Sequence, residues 1–287
     1  MKEPVELIQM REVQAIIRLA LAEDCYRRDI TSNLVIPRHL ESKAVLLSKA
    51  RGVLCGIGVF TEVFKQVDSN LEVDLCSIDG SDLKLGDKVA VISGNTRSIL
   101  RAERTALNFV CHLSGIASAV SAYIDCIKGT KACIADTRKT SAGQRLLEKY
   151  AISCGGGKNH RFNLSDGILI KDNHIAVLQN MGLSLREIVM RAKKNNRSGL
   201  EIEVEVNSLA QAEEAVEAGA DILLLDNMSV AEMRTTVSKL KGMARFEASG
   251  GITLQNVRAV AQTGVDIISI GALTHSVQVF DFSLEMY

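Results

Sequence analysis

Tryptophan is absent, aromatic residues make up 4% of the chain, and two prolines occur in 287 residues. So few aromatic faces leave nothing for a base-stacking platform. With 34 Lys/Arg set against 34 Asp/Glu, there is also no basic field to hold a nucleic-acid backbone. The seven cysteines (Cys25, Cys55, Cys76, Cys111, Cys126, Cys133 and Cys154) contain no C-x-x-C pair. An odd, scattered set argues against a disulfide framework or a zinc site. Most lie in apolar stretches and read as reduced core thiols of a cytoplasmic protein. No run of about 18 apolar residues is found, and the first residues lack the basic, apolar and small parts of a secretory signal. A soluble protein with neither a membrane nor a nucleic-acid partner is expected.

What is present is enough apolar material for a large core: 47% hydrophobic and 24% charged residues. Leu7, Ile8, Val13, Ile16, Ile17, Ala20 and Leu21 predict one amphipathic helix over Val5–Ala22, with Pro4 at its start. Asp29-Ile30-Thr31-Ser32 then begins a turn. From Lys43 to Leu100 short β runs follow, at 44–47, 53–57, 73–76, 89–93 and 98–100, with a helix at 59–67 and glycines between them. This is the pattern of a small α+β domain with an antiparallel sheet. A long helix is predicted over Arg101–Lys128, where Ser114-Gly115 allows either close packing or a break.

Beyond it the chain alternates. Strand-like runs at 132–135, 168–170, 202–206, 222–225, 246–248 and 267–270 are separated by helix-like runs at 144–152, 185–194, 209–218, 230–240 and 254–262. Such alternation predicts parallel strands with right-handed crossovers, in a barrel or an open sheet. Candidate functional residues recur at the C-terminal ends of successive strands, which favours a barrel because a barrel gathers those ends at one mouth. About six strands make it an incomplete, open parallel α/β barrel. The expected division is residues 1–115 for the N-terminal α/β sandwich and 116–275 for the barrel. The tail 276–287 alternates again and reads as a strand rejoining the N-terminal sheet.

The stretch from Asp136 to His174 holds seven Lys/Arg and two His against four carboxylates. Its cations (Arg138, Lys139, His160, Arg161, Lys171) adjoin glycine runs or the ends of apolar runs instead of lying along a helical face. Bidentate Arg and flexible Lys in a hollow suit a polyanionic small molecule. Opposing them is Glu201-Ile202-Glu203-Val204-Glu205-Val206, where Glu203 and Glu205 share one strand face. Parallel strands are normally apolar on both faces, so carboxylates there need a cation or a metal. Asp226 ends the next apolar run, and hard oxygen ligands near a phosphate site suggest Mg²⁺. Ser249-Gly250-Gly251 precedes a helix expected near Thr253, and Gly271-Ala272 follows the last strand. Backbone N–H groups there suit a phosphate. His275 lies close to that second loop. His112 and His174 read as structural, and His39 as exposed.

In order along the chain stand Arg104-Thr105-Ala106-Leu107-Asn108, Leu113-Ser114-Gly115-Ile116-Ala117, Asp136-Thr137-Arg138-Lys139-Thr140 and Glu148-Lys149-Tyr150. Lys158-Asn159-His160-Arg161, Lys171-Asp172-Asn173-His174, Leu225-Asp226-Asn227 and Glu247-Ala248-Ser249-Gly250-Gly251-Ile252 follow. With these segments the chain resembles the quinolinate phosphoribosyltransferases, also called carboxylating nicotinate-nucleotide pyrophosphorylases. The resemblance covers essentially the full length and is most specific from Arg104 onward. At Glu23-Asp24-Cys25-Tyr26-Arg27-Arg28-Asp29 the chain departs from the family's Glu-Asp-leucine-glycine pattern.

The resemblance implies transfer of phosphoribosyl from 5-phosphoribosyl 1-diphosphate to quinolinate, with loss of CO₂, to give nicotinate mononucleotide and pyrophosphate in NAD biosynthesis. It implies a homodimer, or a multiple of dimers, with shared active sites. Quinolinate would be held by Arg138, His160, Arg161 and Lys171, with Arg104 supplied by the partner subunit. Lys139 would sit at the boundary with the phosphoribosyl donor. Ser249, Gly250, Gly251, Gly271 and Ala272 would take the donor's phosphate, and His275, by its position near the second loop, is a candidate for binding the same donor. Glu205 and Asp226 would bind Mg²⁺ and, with Lys139 and Lys171, act in catalysis. Two alternatives stand beside this reading: a related barrel acting on another heteroaromatic acid, and a non-catalytic binding protein of the same fold.

Overall fold

Met10 divides the first helical run in two. The computed structural model describes residues 4–24 and 26–287, so Cys25 in the divergent turn lies outside the described residues. Instead of one helix over Val5–Ala22 there are α1 (Pro4–Gln9) and α2 (Arg11–Glu23), with Met10 extended at φ −64°, ψ 135° as the N-cap of α2. Leu7 is buried from α1, and Val13, Ile17 and Leu21 are buried from α2 at a strict four-residue spacing. The turn expected at Asp29 is the cap of α3 (Ile30–Val35), because the Asp29 carboxylate accepts from Ser32 N–H at 2.9 Å.

The β runs form β1 (Glu41–Ser48), β2 (Gly52–Val53), β3 (Glu72–Leu75), β4 (Asp82–Leu83) and β5 (Lys88–Asn95), with α4 (Ile57–Val67) between β2 and β3. The strand expected at 98–100 is instead the first turn of α5 (Thr96–Ile127). Thr96 N–H and hydroxyl both donate to Leu40 O at 2.9 Å, and Ser98 N–H donates to the Asn95 side chain at 3.3 Å. With its first turn capped, the segment buries Ile99, Ala102 and Ala106 along one helical face.

At Ser114-Gly115 α5 does not break, and the close-packing alternative holds. Ser114 Oγ accepts from Cys55 N–H at 2.9 Å and donates to Cys55 O at 3.0 Å. A Cβ placed on Gly115 would stand 2.3 Å from the carbonyl oxygen of Gln278, so only glycine allows that backbone to approach. By length and composition α5 could cross a membrane, but its buried Leu113, Ile116, Ala117 and Val120 are those of a core helix.

Then follow β6 (Cys133–Ala135), α6 (Arg145–Cys154), β7 (Ile168–Ile170), α7 (Asp172–Gln179), α8 (Leu185–Asn195), β8 (Ile202–Val206) and α9 (Leu209–Glu217). The chain closes with β9 (Ile222–Asp226), α10 (Val230–Lys239), β10 (Arg245–Ser249), α11 (Val257–Ala261), β11 (Ile267–Ser269), α12 (Ala272–His275) and β12 (Phe282–Met286). α7 and α12 were not expected from the pattern, being short and weakly amphipathic. α11 starts three residues later than the run predicted at 254–262. The Asn256 side chain accepts from Thr253 N–H at 2.8 Å and donates to Gly251 O at 2.9 Å, making a turn before the helix.

These elements form two compact units. One comprises the residues up to Ser121 with Thr140–Gly156 and Ala272–Tyr287; the other comprises Ala122–Lys139 and Gly157–Gly271. In the first, an antiparallel sheet runs β12-β1-β5-β3. The alternating tail does rejoin it, with Leu46 paired to Leu284. In the second, six parallel strands run β6-β11-β10-β9-β8-β7. The order is cyclic in sequence: the last strand, β11, pairs with the first, β6, and the gap falls between β6 and β7. This is the open parallel barrel that the alternation predicts.

Gly115→Ala tests the close approach at α5. Alanine favours a helix by about 1 kcal/mol over glycine, but forcing a methyl against a fixed carbonyl costs about 1–3 kcal/mol. Urea unfolding of the variant should show a net loss of stability; an unchanged or raised midpoint would contradict the contact.

Candidate active site

The strand ends of the barrel unit open on a cavity of about 540 Å³. Arg138 and Lys139 follow β6, His160 and Arg161 precede β7, and Lys171 follows it. Glu205 comes from β8, Asp226 and Asn227 from the end of β9, Glu247 and Ser249 from β10 with Gly250 and Gly251 after it, and Ser269 from β11. Parallel strands all point their carboxyl ends one way, which is why residues as far apart in sequence as Arg138 and Ser269 meet here.

At the base of the cavity His160 is fixed from two sides. Its backbone N–H donates to the fully buried Asp136 carboxylate at 2.7 Å. Its Nε2 lies 3.1 Å from Glu203 Oε2 and 3.4 Å from Glu247 Oε2, and both glutamates are 5% exposed or less. Burial works against a charged ring, but the two carboxylates outweigh it and push the His160 pKa up to about 10. With Nε2 protonated, the ring donates toward both carboxylates, and the trio is held together as an ion-pair cluster. The Glu203 carboxyl is itself raised, chiefly by burial, and its Oε1 is buried with no hydrogen-bond partner.

Arg161 and Arg138 stand close enough to disturb each other. Burial first, and then the Arg138 charge, lowers the Arg161 pKa. Arg138 Nε is buried without a hydrogen-bond partner, and neither guanidinium forms an ion pair among the described residues. Two crowded guanidiniums in one hollow, with the Glu203 and Glu247 charges only partly offsetting the repulsion at Arg161, are poised for a bidentate anion. At the acidic side, burial raises the Glu205 pKa, and the nearby Asp226 and Asp172 charges raise it further, with Lys171 opposing. Glu205, Asp226 and Asp172 also line an adjoining cavity of about 250 Å³. Hard carboxylate oxygens whose mutual repulsion is only partly relieved fit a hard divalent cation such as Mg²⁺.

The glycine loop is shaped by Asn227. Gly250 has φ +89°, and a Cβ there would lie 2.2 Å from Asn227 Oδ1. Asn227 is itself left-handed at φ 53°, a region that asparagine tolerates. Its N–H donates to Ser249 O at 3.0 Å and its Nδ2 to Asp226 Oδ2 at 2.7 Å. The end of β10, where the glycine loop begins, and the carboxylate ending β9 are therefore held by one residue, through its backbone N–H and its side chain. Because α11 is short and begins later, the loop backbone and not a helix N-terminus faces the cavity.

Of the residues expected at the site, Arg138, Lys139, His160, Arg161, Lys171, Glu205, Asp226, Ser249, Gly250 and Gly251 all line the cavity. Arg104, Gly271, Ala272 and His275 do not line it. Arg104 is an exposed residue of α5, and Ala272 and His275 belong to α12 in the N-terminal unit. His174 caps α7, accepting from Lys171 N–H at 3.0 Å, and His112 pairs with buried Glu148 at 3.0 Å. Glu247, Asn227 and Ser269 were missed as site residues. The signal for Glu247 was available: it shares a strand face with Ser249, as Glu203 does with Glu205.

Comparison with known proteins gives a consistent picture. Residues 29–114 match the model of the quinolinate phosphoribosyl transferase N-terminal domain, and residues 116–285 match that of its C-terminal domain. The chain is 39% identical to nicotinate-nucleotide pyrophosphorylase [carboxylating] of Mycobacterium leprae, over 94% of this chain and 95% of the relative. It is 36% identical to the chloroplastic enzyme of that name from Arabidopsis thaliana, over 96% and 83%. The crystal structure of NadC from Streptococcus pyogenes superposes with a TM-score of 0.90 at 39% identity, over 100% and 98% of the two chains.

The His160 cluster makes a prediction of its own. Because the folded pKa lies above the unfolded value of about 6.5, the pairing contributes stability that is complete below about pH 6.5 and lost as pH rises through about 10. Nitrogen-15 NMR of the ring at pH 8 should show both nitrogens protonated. In Glu203→Gln the titration should move down by about 1 unit or more; a neutral ring at pH 8 in the unaltered protein would contradict the assignment.

Proposed function

The chain belongs to the quinolinate phosphoribosyltransferase family, and from that premise we propose how this cavity performs the family's reaction: transfer of phosphoribosyl from 5-phosphoribosyl 1-diphosphate to quinolinate, with decarboxylation to nicotinate mononucleotide. The observation that carries the reading is the crowded Arg138–Arg161 pair, with Arg138 Nε buried and unpartnered, sharing one cavity with Glu205 and Asp226. A planar dicarboxylate neutralises such a pair, and the carboxylates suit the sugar end of the donor.

In this reading Arg138, Arg161, Lys171 and the fixed His160 imidazolium bind the two carboxylates of quinolinate. They orient its ring nitrogen toward the anomeric carbon, and the cations offset the repulsion between two anionic substrates. As the nitrogen displaces pyrophosphate, positive charge develops on the sugar. Glu205 and Asp226 are the anions positioned to stabilise it, and Lys139 the cation for the departing diphosphate. When the carboxylate next to the now quaternary ring nitrogen departs as CO₂, its electron pair stays on that ring carbon, stabilised by the adjacent positive nitrogen. The carbon then takes a proton from water, so the second half needs no further cofactor. Mg²⁺ held by Glu205 and Asp226 would supply charge neutralisation at the diphosphate. The backbone of Ser249, Gly250 and Gly251 is the cradle for the 5′-phosphate. A homodimer whose partner supplies Arg104 suits the exposure of that residue on α5, and a reducing cytoplasmic compartment suits the free thiols.

Three measurements test this. Mixing the protein with quinolinate, phosphoribosyl diphosphate and Mg²⁺ should release CO₂ and pyrophosphate in equal amounts; no nicotinate mononucleotide from quinolinate would exclude this substrate. Arg138→Ala removes a charge-assisted contact of about 1.5–3 kcal/mol, so calorimetry should find quinolinate binding about 10- to 100-fold weaker. Glu205→Ala should lower kcat by about 100-fold or more, and full turnover in that variant would remove Glu205 from the mechanism.

A further inference from the structure

Away from this cavity, inside the N-terminal unit, two cysteines far apart in sequence meet. Cys55 lies just before α4 and is fully buried; Cys154 is the last residue of α6 and is half-buried. Their sulfurs and a carboxylate oxygen of Asp79 all lie within 4.8 Å of one another. Asp79 is tied down on both oxygens, accepting from Ile57 N–H at 2.9 Å and from the Tyr150 hydroxyl at 2.9 Å. With both carboxylate oxygens engaged, the sulfurs are the reactive pair in this cluster.

We propose that Cys154 and Cys55 form a peroxide-oxidisable thiol pair, in which the half-buried Cys154 sulfur meets the oxidant and the buried Cys55 resolves it to a disulfide. The two thiols differ as this division of labour requires. The Cys154 pKa is lowered, first by its hydrogen bond with Cys55 and further by Tyr150 against the effect of burial, whereas burial pushes the Cys55 thiol well up. A thiolate that is partly accessible and has a second thiol within reach is the arrangement that hydroperoxides oxidise selectively.

In the first step the Cys154 thiolate attacks one peroxide oxygen. The S–O bond forms, the O–O bond breaks, sulfur loses two electrons, and the hydroxide that leaves takes up the proton the Cys154 thiol released on ionising, giving the first water. In the second step Cys55 attacks the Cys154 sulfenic sulfur. The S–S bond forms, the S–O bond breaks, and the Cys55 proton leaves with the hydroxide as water. Two thiols and one hydrogen peroxide thus give one disulfide and two waters. The bond would tie the end of α6 to the segment before α4 within the same unit.

The test is peptide mapping of the whole protein after brief treatment with hydrogen peroxide, followed by alkylation of the remaining thiols. A Cys55–Cys154 cross-linked peptide, reversed by a thiol reductant, is expected, with exposed Cys76 still alkylated. In Cys55→Ser the reaction should stop at a Cys154 sulfenic acid trapped by dimedone, and in Cys154→Ser the cross-link should be lost and Cys55 remain alkylatable. Should both cysteines stay alkylatable in the unaltered protein while Cys76 is oxidised, the proposal is overturned. Circular dichroism of the two serine variants verifies that each is folded.

Discussion

A charged, half-buried imidazole held between two buried carboxylates is the feature around which the barrel mouth is built. His160 is held at its backbone by Asp136 and at its ring by Glu203 and Glu247, so the ring can neither rotate nor readily lose its proton. Burying any one of these charges alone would cost several kcal/mol. Burying them together lets the imidazolium serve as counter-ion to both carboxylates, against the repulsion between the two glutamates. The glutamates sit on β8 and β10, separated in the sheet by β9, so the cluster also spans three strands. A neutral histidine would leave two buried anions facing each other with nothing between them.

Around that fixed point the charges are left deliberately incomplete. Arg138 and Arg161 repel each other, and Glu205 repels Asp226 and Asp172. Each half of the cavity is thus less favourable without a ligand than with one. Groups that bring the missing opposite charge relieve it: a dicarboxylate at the guanidiniums, a divalent cation and a developing sugar cation at the carboxylates. Strain of this kind belongs to binding sites, where full local satisfaction would leave nothing for the substrate to gain. The Asn227 bridge between Asp226 and the glycine loop keeps the acidic side and the phosphate side in fixed register.

Several residues that make the chain resemble its family do no chemistry at this cavity. Glu148 is fully buried, paired with His112 and accepting from Ser141 N–H, and Tyr150 anchors Asp79. Ser114 and Gly115 let α5 approach neighbouring backbone. A motif can mark a fold's packing as firmly as its chemistry, and only contacts separate the two.

Local pattern alone was enough for the six parallel strands, whose predicted limits lie within a residue of those observed, because each is a short apolar run set off from helical periodicity. It was also enough for the cations and carboxylates at strand ends, since a charge on a strand that should be apolar on both faces needs an explanation. Pattern did not reach the split at Met10, the cap that turns Ser98–Leu100 into helix, or the meeting of Cys55 with Cys154. Each depends on a partner distant in sequence or on a single backbone angle. The same holds for Glu247: its strand face could be read from spacing, but its pairing with His160 arises only when β10 and the loop before β7 are brought to one mouth. Residue types and their periods set the elements and the chemistry available. Which charges neutralise one another, and which are left waiting for a ligand, is decided by distances that exist only once the chain has closed on itself.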